Sequence, residues 1–382
     1  MQLPLLILLG MFLAAATASA ATRTSTATGG VWGTGTTWVG GVAPAATDSV
    51  IIATTGANSV QGNLVGASYT CAALTINTGA TLTMYRNFTV NGSTTISGTI
   101  NFGSTSTTVR TMTFNGAVTL NSGAVWNETT TGAAAVFTFA NSLVNNATTF
   151  TAQSPVHTFS GTSMTLSGAT VTAIPIAMFT GSNNNTGSLT VSTALAGAGS
   201  LANRATGVLN IGGTSAITTL TATAAGNTVN YTGTGQAVKA TSYGNLIFSG
   251  SGAKTIATGT SVGGNLSIAP TGAATASVGA GLNLNVGSLA LGGLGRVNGT
   301  WGSTTATSAT YQNNTYFAPT TGYLTILDYI FDRAQRWDPE GVGNLHPHGR
   351  HQLHDGVRLG ERDSEQGDAD GDAGGEQLAS DL

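Results

Sequence analysis

The stretches GNLIFSGSGA at residues 244–253 and GNLSIAPTGA at residues 264–273 repeat one pattern twenty residues apart. Gly, Asn, Leu, Gly and Ala match in register between them. Looser copies of the pattern are GSLTV at residue 187, GVLNI at 207, GNTVNY at 226 and GSLAL at 287. A spacing near twenty residues without helical periodicity is typical of a solenoid, in which each coil of chain stacks on the next.

A second series of short apolar triplets lies upstream of these repeats. Its members are Phe88-Thr89-Val90, Met112-Thr113-Phe114, Phe137-Thr138-Phe139 and His157-Thr158-Phe159. In a strand, this alternation sends two bulky side chains to one face and Thr to the other. Both series together predict an all-β protein, a right-handed parallel β-helix of about 11–13 coils with an N-terminal cap. A disordered linker lacks such apolar spacing, and a β-sandwich array has longer strands and longer repeats.

Charge divides the chain into two unlike parts. From Ala21 to Leu327 there are seven basic residues and two acids, Asp48 and Glu128, which gives +5. From Asp328 onward there are thirteen acids and five arginines, which gives −8. The basic residues of the first part are scattered singly, so the sequence predicts no nucleic-acid partner.

The chain ends differ from the repeats. Residues 1–20 resemble a signal peptide, because the apolar run from Leu3 to Ala16 precedes Ala18-Ser19-Ala20, and no later stretch predicts a membrane span. We therefore expect a secreted or cell-surface protein. Residues 21–72 are predicted to form the cap and first coil, and residues 73–327 the repeats. Residues 328–382 are predicted to be a charged, mostly disordered tail whose four histidines give a weak metal-binding pattern.

The segment TWVGGVAPAATDSVII, at residues 37–52, is predicted to begin the solenoid. Gly40, Gly41 and Pro44 indicate a turn, and the Asp48 side chain is placed to accept N–H groups of that turn or of the first strand. The two tryptophans of the cap, Trp32 and Trp38, are expected to cover the first coil and its edge. Cys71, the single cysteine, is expected to be a small buried apolar residue.

The repeats contain few residues that could form a catalytic site. Asp48 and Glu128 lie eighty positions apart, or three to four coils, whereas glycoside hydrolysis needs two carboxyl groups within about 5–10 Å. His157 aligns with Phe137, so an inward imidazole is favoured over a catalytic one. We therefore predict no enzyme activity, no cofactor and no metal site. A polysaccharide-active lyase or hydrolase remains the alternative.

Three stretches carry a resemblance to secreted bacterial β-solenoid surface proteins, the filamentous-haemagglutinin-like and autotransporter-passenger-like adhesins. They are GVWGTGTTWVGGVAPAATDSVII, YTGTGQAVKATSYGNLIFSGSGAKTI and GRVNGTWGSTTATSATYQNNTYFAPTTGYLTI. The resemblance spans about Gly29 to Ile326. It implies a structural or adhesive role outside the cell. The resemblance does not extend to an attachment segment, because the sequence predicts neither a C-terminal barrel nor a sorting signal.

A surface polysaccharide or a host or matrix glycan is therefore the predicted partner. Tyr243, Tyr311 and Tyr316 are predicted to be exposed aromatic residues that stack on sugars. Outward Thr residues in T-x-T runs suggest a third function, ice binding. Coil lengths that vary from about 18 to 32 residues argue against the regular Thr array that ice binding requires.

Overall fold

A computed structural model of the chain describes residues 20–64, 66–103, 108–128 and 134–327. In these ranges, short strands stack into a β-solenoid of about 12 turns, and one short 3-10 helix spans Gly35–Thr37. The all-β, parallel, stacked architecture predicted from the repeats is confirmed. Apart from Ala20, the predicted signal peptide lies outside the described residues, as does the tail from Asp328.

The described residues of the solenoid form 37 strands. In chain order they are β1 (Thr22–Thr24), β2 (Gly30–Val31), β3 (Ser49–Ile52), β4 (Val60–Gly62), β5 (Tyr69–Cys71), β6 (Ala73–Ile76), β7 (Thr81–Met84), β8 (Phe88–Val90), β9 (Thr94–Ile96), β10 (Thr99–Phe102), β11 (Thr111–Phe114), β12 (Val118–Leu120), β13 (Val125–Glu128), β14 (Val136–Phe139), β15 (Leu143–Asn145), β16 (Thr149–Thr151), β17 (Val156–Phe159), β18 (Met164–Ser167) and β19 (Thr172–Phe179). They continue with β20 (Ser182–Asn185), β21 (Ser188–Ala196), β22 (Ser200–Asn203), β23 (Val208–Ile211), β24 (Thr214–Ser215), β25 (Thr219–Thr221), β26 (Thr228–Tyr231), β27 (Thr234–Ala237), β28 (Ser242–Tyr243), β29 (Asn245–Phe248), β30 (Ser251–Ile256), β31 (Ser261–Ile268), β32 (Ala273–Val278), β33 (Asn283–Leu291), β34 (Leu294–Gly295), β35 (Gly299–Gly302), β36 (Tyr311–Gln312) and β37 (Tyr323–Ile326).

Successive coils contribute one strand each to the faces of the solenoid. The first sheet has the order β1-β3-β6-β9-β12-β15-β18-β20-β22-β25. The second sheet has the order β2-β4-β7-β10-β13-β16. The third sheet runs from β5 through β8, β11, β14, β17, β19, β21, β23, β26, β29 and β31 to β33. A fourth, short sheet is β27-β30-β32. Neighbouring strands in these ladders are parallel, because the chain returns to the same face after each coil.

The repeats of the sequence become inward columns of side chains. Leu246 pairs in register with Leu266, and Leu266 pairs with Leu289. The upstream triplets also align, with Met112 between Phe88 and Phe137 on neighbouring coils. The six side chains are at most 1% exposed, so one core runs through successive coils. The predicted registers are therefore confirmed.

The repeated glycine that precedes these strands has a steric cause. A Cβ atom on Gly264 would lie 2.6 Å from the carbonyl oxygen of Gly244 on the preceding coil. Since real Cβ atoms do not approach backbone that closely, a larger residue would push the two coils apart.

Outward side chains also form columns. Thr70, Thr89, Thr113, Thr138 and Thr158 pair in register along the third sheet. These threonines are separated by 19, 24, 25 and 20 residues, so coils of unequal length keep one column. The connecting segments absorb the difference in length along this one column, and the expectation that unequal coils argue against a flat, regular Thr array stays a prediction.

The last part of the described chain lies against the end of the solenoid. Strand β37 pairs with the first half of β33, β35 pairs antiparallel with β37, and β36 pairs with β35. Phe317 is 1% exposed, and the neighbouring Ala318 donates its N–H to the carbonyl of Ala276 in β32 at 2.9 Å. Residues 294–326 thus cover the ends of the third and fourth sheets, which would otherwise present unpaired edges.

Candidate functional site

The predicted hydrogen bonds of Asp48 are present. Its carboxylate accepts the N–H of Ala45 at 3.0 Å and the N–H of Ala21 at 2.9 Å. Arg23 donates its Nε–H to the same carboxylate at 3.0 Å, a pairing the sequence did not reveal. The Ala45 hydrogen bond, followed by those of Ala21 and Arg23, lowers the pKa of Asp48 in spite of its burial. Asp48 thus joins the first strand to the turn before β3.

The other residues of the predicted cap precede Asp48 in the sequence. Gly40 and Gly41 have φ angles of 85° and 73°, a conformation that favours glycine. Pro44 is half-buried, and together with Trp32 it lines a groove of about 250 Å³. The Trp38 indole donates to the carbonyl of Trp32 at 2.7 Å, which satisfies its N–H inside the core.

The Trp32 ring extends the aromatic column of the third sheet beyond its first strand. Its centroid lies 5.8 Å from Tyr69, 5.7 Å from Phe88 and 5.2 Å from Trp38. Both tryptophans are at most 2% exposed. The two rings therefore lie over the first coil, where the sequence analysis placed them, and their role as a cap stays a prediction.

Sequence reasoning missed a buried acid–imidazole pair between neighbouring coils. Glu128, at the end of β13, and His157, in β17, are each 1% exposed. One carboxylate oxygen, Oε1, accepts from His157 Nε2 at 2.9 Å and from the Trp126 indole at 2.8 Å. The other, Oε2, accepts the N–H groups of Gln153 at 3.1 Å and Ser154 at 2.9 Å. The four donors saturate the carboxylate.

The hydrogen bonds of His157 select its tautomer. Its Nε2 faces the Glu128 carboxylate, while its Nδ1 is buried without a partner. A proton on Nδ1 would be a buried donor without an acceptor, so the tautomer with the proton on Nε2 is favoured. The ring stacks on Phe137 with centroids 5.2 Å apart. The predicted inward orientation is confirmed, and the pair is enclosed in the core away from any substrate.

Lys254 is a second buried charge that the sequence did not indicate. The side chain is fully buried, and its ammonium donates to the carbonyls of Gly233 and Ser251 and, at 2.9 Å, to Gln236 Oε1. These three acceptors match the three donors of the ammonium. Burial lowers the pKa of Lys254. Cys71 is buried as predicted, and burial raises the pKa of its thiol to about 12.

The three tyrosines predicted to contact glycans are not brought together. Tyr243 is 1% exposed, and its hydroxyl donates to the carbonyl of Lys239 at 2.6 Å, so its predicted exposure is wrong. Burial raises the pKa of Tyr243. Tyr316 is half-buried against the core. Tyr311 is 38% exposed and stacks on Trp301 with centroids 4.6 Å apart.

Two shallow grooves are lined by glycine-rich segments, and Tyr243 lines the first of them. One, of about 430 Å³, crosses three coils and presents Ser242, Asn245 and Ser261. The other, of about 410 Å³, lies between β24 and β27 and presents Gln236. The size of these grooves fits a small ligand or a segment of a polymer.

Comparison of the chain with protein-family models, with curated proteins and with solved structures finds no match. The resemblance to adhesins of the filamentous-haemagglutinin-like and autotransporter-passenger-like type therefore stays a hypothesis beyond the solenoid fold itself. Among the described residues, none of the helices has the length and apolar character needed to cross a membrane. The same residues contain no cluster of three or more His, Cys, Asp or Glu side chains suited to a metal. The four tail histidines lie outside them.

Proposed function

We propose that the protein is a non-catalytic, secreted or cell-surface solenoid with a structural and adhesive role, and that it binds a glycan through outward side chains. The proposal rests on one observation: outward side chains of successive coils align in register and form columns on the surface. The Thr column of the third sheet repeats a hydroxyl group on every coil from β5 to β17. A surface that repeats at the spacing of about 4.8 Å between strands suits a ligand that is itself a repeating polymer.

Amide columns support the same role. On the second sheet, Asn127 donates to Asn101 at 3.2 Å, and Asn101 donates to Thr83 at 3.4 Å. On the third sheet, Asn230 donates to Asn210 at 3.3 Å. Hydroxyl and amide groups both donate and accept hydrogen bonds, which is what sugar hydroxyls require of a partner.

The two carboxylates of the described chain support a non-catalytic role. Asp48 is 2% exposed and Glu128 is 1% exposed. Protein N–H groups occupy the oxygens of both. Neither is arranged as a general acid or base that reaches a bound sugar, because a catalytic carboxyl needs a free oxygen near the scissile bond.

A glycan array probed with the full-length protein tests this proposal. We expect retention on a subset of polysaccharides without release of shorter products. The exposed stack of Tyr311 on Trp301 is the predicted aromatic contact with the glycan, so Tyr311→Ala should weaken retention. The control is Tyr316→Phe, at a half-buried ring, and it should leave retention unchanged. Release of oligosaccharides would favour the lyase or hydrolase alternative. Absence of retention on every glycan would contradict the adhesive role.

Ice binding is a second candidate that the Thr column specifically favours. Five threonines in one register form a regular column in spite of the unequal coil lengths. Thermal hysteresis of the wild-type protein, abolished in Thr113→Lys at the centre of the column, would support this function. A freezing point and crystal habit unchanged by the wild-type protein would exclude it.

A further inference from the structure

The charged groups on the described surface are all of one sign. Both acids are buried, Asp48 in its hydrogen bonds at the cap and Glu128 in the core. The arginines and lysines that reach the surface are therefore not balanced by any described carboxylate there, apart from the Arg23–Asp48 pair. A surface with this charge selects anionic ligands, and its field is felt over roughly a Debye length of about 8–10 Å.

Two of these cations are stacked on neighbouring coils. Arg86 lies two residues before Phe88, and Arg110 lies two residues before Met112, which pairs with Phe88 in the third sheet. The N–H of Thr111 donates to the Asn87 side chain at 3.1 Å, so the segments containing the arginines are adjacent. The backbones at Arg86 and Arg110 therefore occupy the same position of the corner between the second and third sheets, one strand spacing of about 4.8 Å apart.

A polar cavity lies at this corner. It has a volume of about 260 Å³ and is lined by Gln61, Asn63, Tyr85 and Arg86. Arg86 donates to the carbonyl of Leu64 at 3.0 Å and to that of Tyr85 at 3.1 Å. A guanidinium has five N–H donors, so these two bonds orient Arg86 and leave donors for a ligand. The cavity combines a ring face, two amides and a fixed cation.

The arginine pair is unfavourable for the protein alone. Like charges opposite one another in a sheet repel, and no described acid lies at this corner to compensate. Arg110 adds a further cost, because its Nε–H is buried without a hydrogen-bond partner. An anion that binds between the two guanidinium groups would remove the repulsion. Local unfavourable features of this kind are typical of binding sites.

We infer that the corner formed by Arg86 and Arg110 binds the carboxylate groups of an acidic, uronate-containing glycan, an inference that rests on the proposed glycan-binding function. The planar guanidinium groups match carboxylates through paired N–H···O bonds. Tyr85 supplies a ring for a sugar face, and Gln61 and Asn63 supply hydrogen bonds to hydroxyl groups. Adjacent coils then contact successive sugars of one chain that runs along the solenoid.

Polygalacturonate is the probe, and binding is measured by calorimetry or biolayer interferometry with the full-length protein. The double variant Arg86→Gln/Arg110→Gln should raise the Kd at least about tenfold, the loss expected for charge-assisted hydrogen bonds. The matched control Arg204→Gln/Lys239→Gln removes the same charge away from the corner and should change the Kd less than about twofold. Arg86→Lys keeps the charge without the planar donor group and should give an intermediate loss.

Thermal melting distinguishes a loss of binding from a loss of folding in the variants. The corner variant removes a repulsion and also the two Arg86 hydrogen bonds, so its circular dichroism and its cooperative melting in the absence of ligand are measured to establish that it is folded. Polygalacturonate should raise the melting temperature of the wild type and of the control variant, and should leave that of the corner variant unchanged.

The other outcomes separate this inference from the proposed function. Equal losses in the corner and control variants, or unchanged binding in the corner variant, would overturn the inference. Binding of double-stranded DNA or dextran sulfate as tight as that of polygalacturonate would overturn the assignment to a carboxylated glycan. Binding of neutral dextran or array glycans without binding of polygalacturonate would overturn the inference and leave the proposed function in place. Failure to bind any glycan would overturn the proposed function itself.

Discussion

The substitution Glu128→Gln changes one buried carboxylate oxygen into an amide NH2 group and leaves the size of the side chain almost unchanged. In the wild type, each oxygen accepts two N–H donors: His157 and Trp126 on one side, Gln153 and Ser154 on the other. Either orientation of the glutamine amide therefore places an NH2 group against two donors. Since the side chain is 1% exposed, water cannot replace the lost acceptor.

The magnitude follows from the number of donors left without an acceptor. Two buried donors at about 1–3 kcal/mol each give a loss of about 2–6 kcal/mol in the free energy of unfolding. A change of tautomer does not reduce this number. If His157 moved its proton to Nδ1, its Nε2 would accept from the amide, but the new Nδ1–H would be buried without a partner, as would the Trp126 N–H.

Urea unfolding followed by circular dichroism measures this loss, and His157→Phe is the control. Phenylalanine continues the aromatic column above Phe137, removes the unpartnered Nδ1 and leaves Glu128 with three donors. We expect the control to lower the free energy of unfolding by about 1.5–3 kcal/mol, the loss of one hydrogen bond to a buried charge, and therefore by less than Glu128→Gln, which leaves two donors unpaired. A loss below about 1 kcal/mol for Glu128→Gln, or an equal loss for both variants, would refute the reasoning.

Three further predictions follow from the structure, and a fourth follows from the sequence of the tail. Asp48→Asn should lower stability by about 0.5–2 kcal/mol at neutral pH. Because the pKa of Asp48 is lowered in the folded state, the difference from the wild type should disappear as the pH falls below the unfolded value of about 3.9 in acid titrations. Leu246→Asp or Leu266→Asp should prevent folding, as judged by circular dichroism, because each side chain is fully buried and paired in register. Burial lowers the pKa of Lys254, so the stability of the wild type relative to Lys254→Met should rise as the pH approaches about 10.4 in alkaline urea titrations, because other titrating groups such as Cys71 cancel in that comparison. Truncation after Trp337 should leave the thermal midpoint unchanged, and a midpoint lowered by several degrees would show that the tail contributes to the fold.

The columns of the core could be predicted because they depend on local alternation and spacing. The triplets containing Phe88, Met112, Phe137 and His157 align in the structure as they do in the sequence. Inward apolar residues of successive coils must meet to form a shared core, so a match in the repeat is a match in space. The same reasoning correctly placed the imidazole of His157 inside.

Hydrogen-bonded polar pairs between coils could not be predicted from the repeat spacing, because their members lie at non-equivalent positions of the coils. Glu128 and His157 are 29 residues apart and lie in different sheets, so no repeat brings them into alignment. The error on Tyr243 was avoidable. Tyr243 pairs in register with Val262, and the apolar residue at the matching place of the next repeat was a signal that the ring points inward.

The connecting segments between the second and third sheets differ in length without disturbing the ladders. Three residues join β7 to β8, and eight join β10 to β11, yet the strands on both sides remain in register. The geometry of the ladder and the chemistry of the corner are therefore independent properties of the chain. Substitutions or insertions at this corner can change what the surface recognises, while the strands continue to present each new side chain at the same axial interval. A single scaffold of this kind can acquire new ligands by exchanging its corners alone.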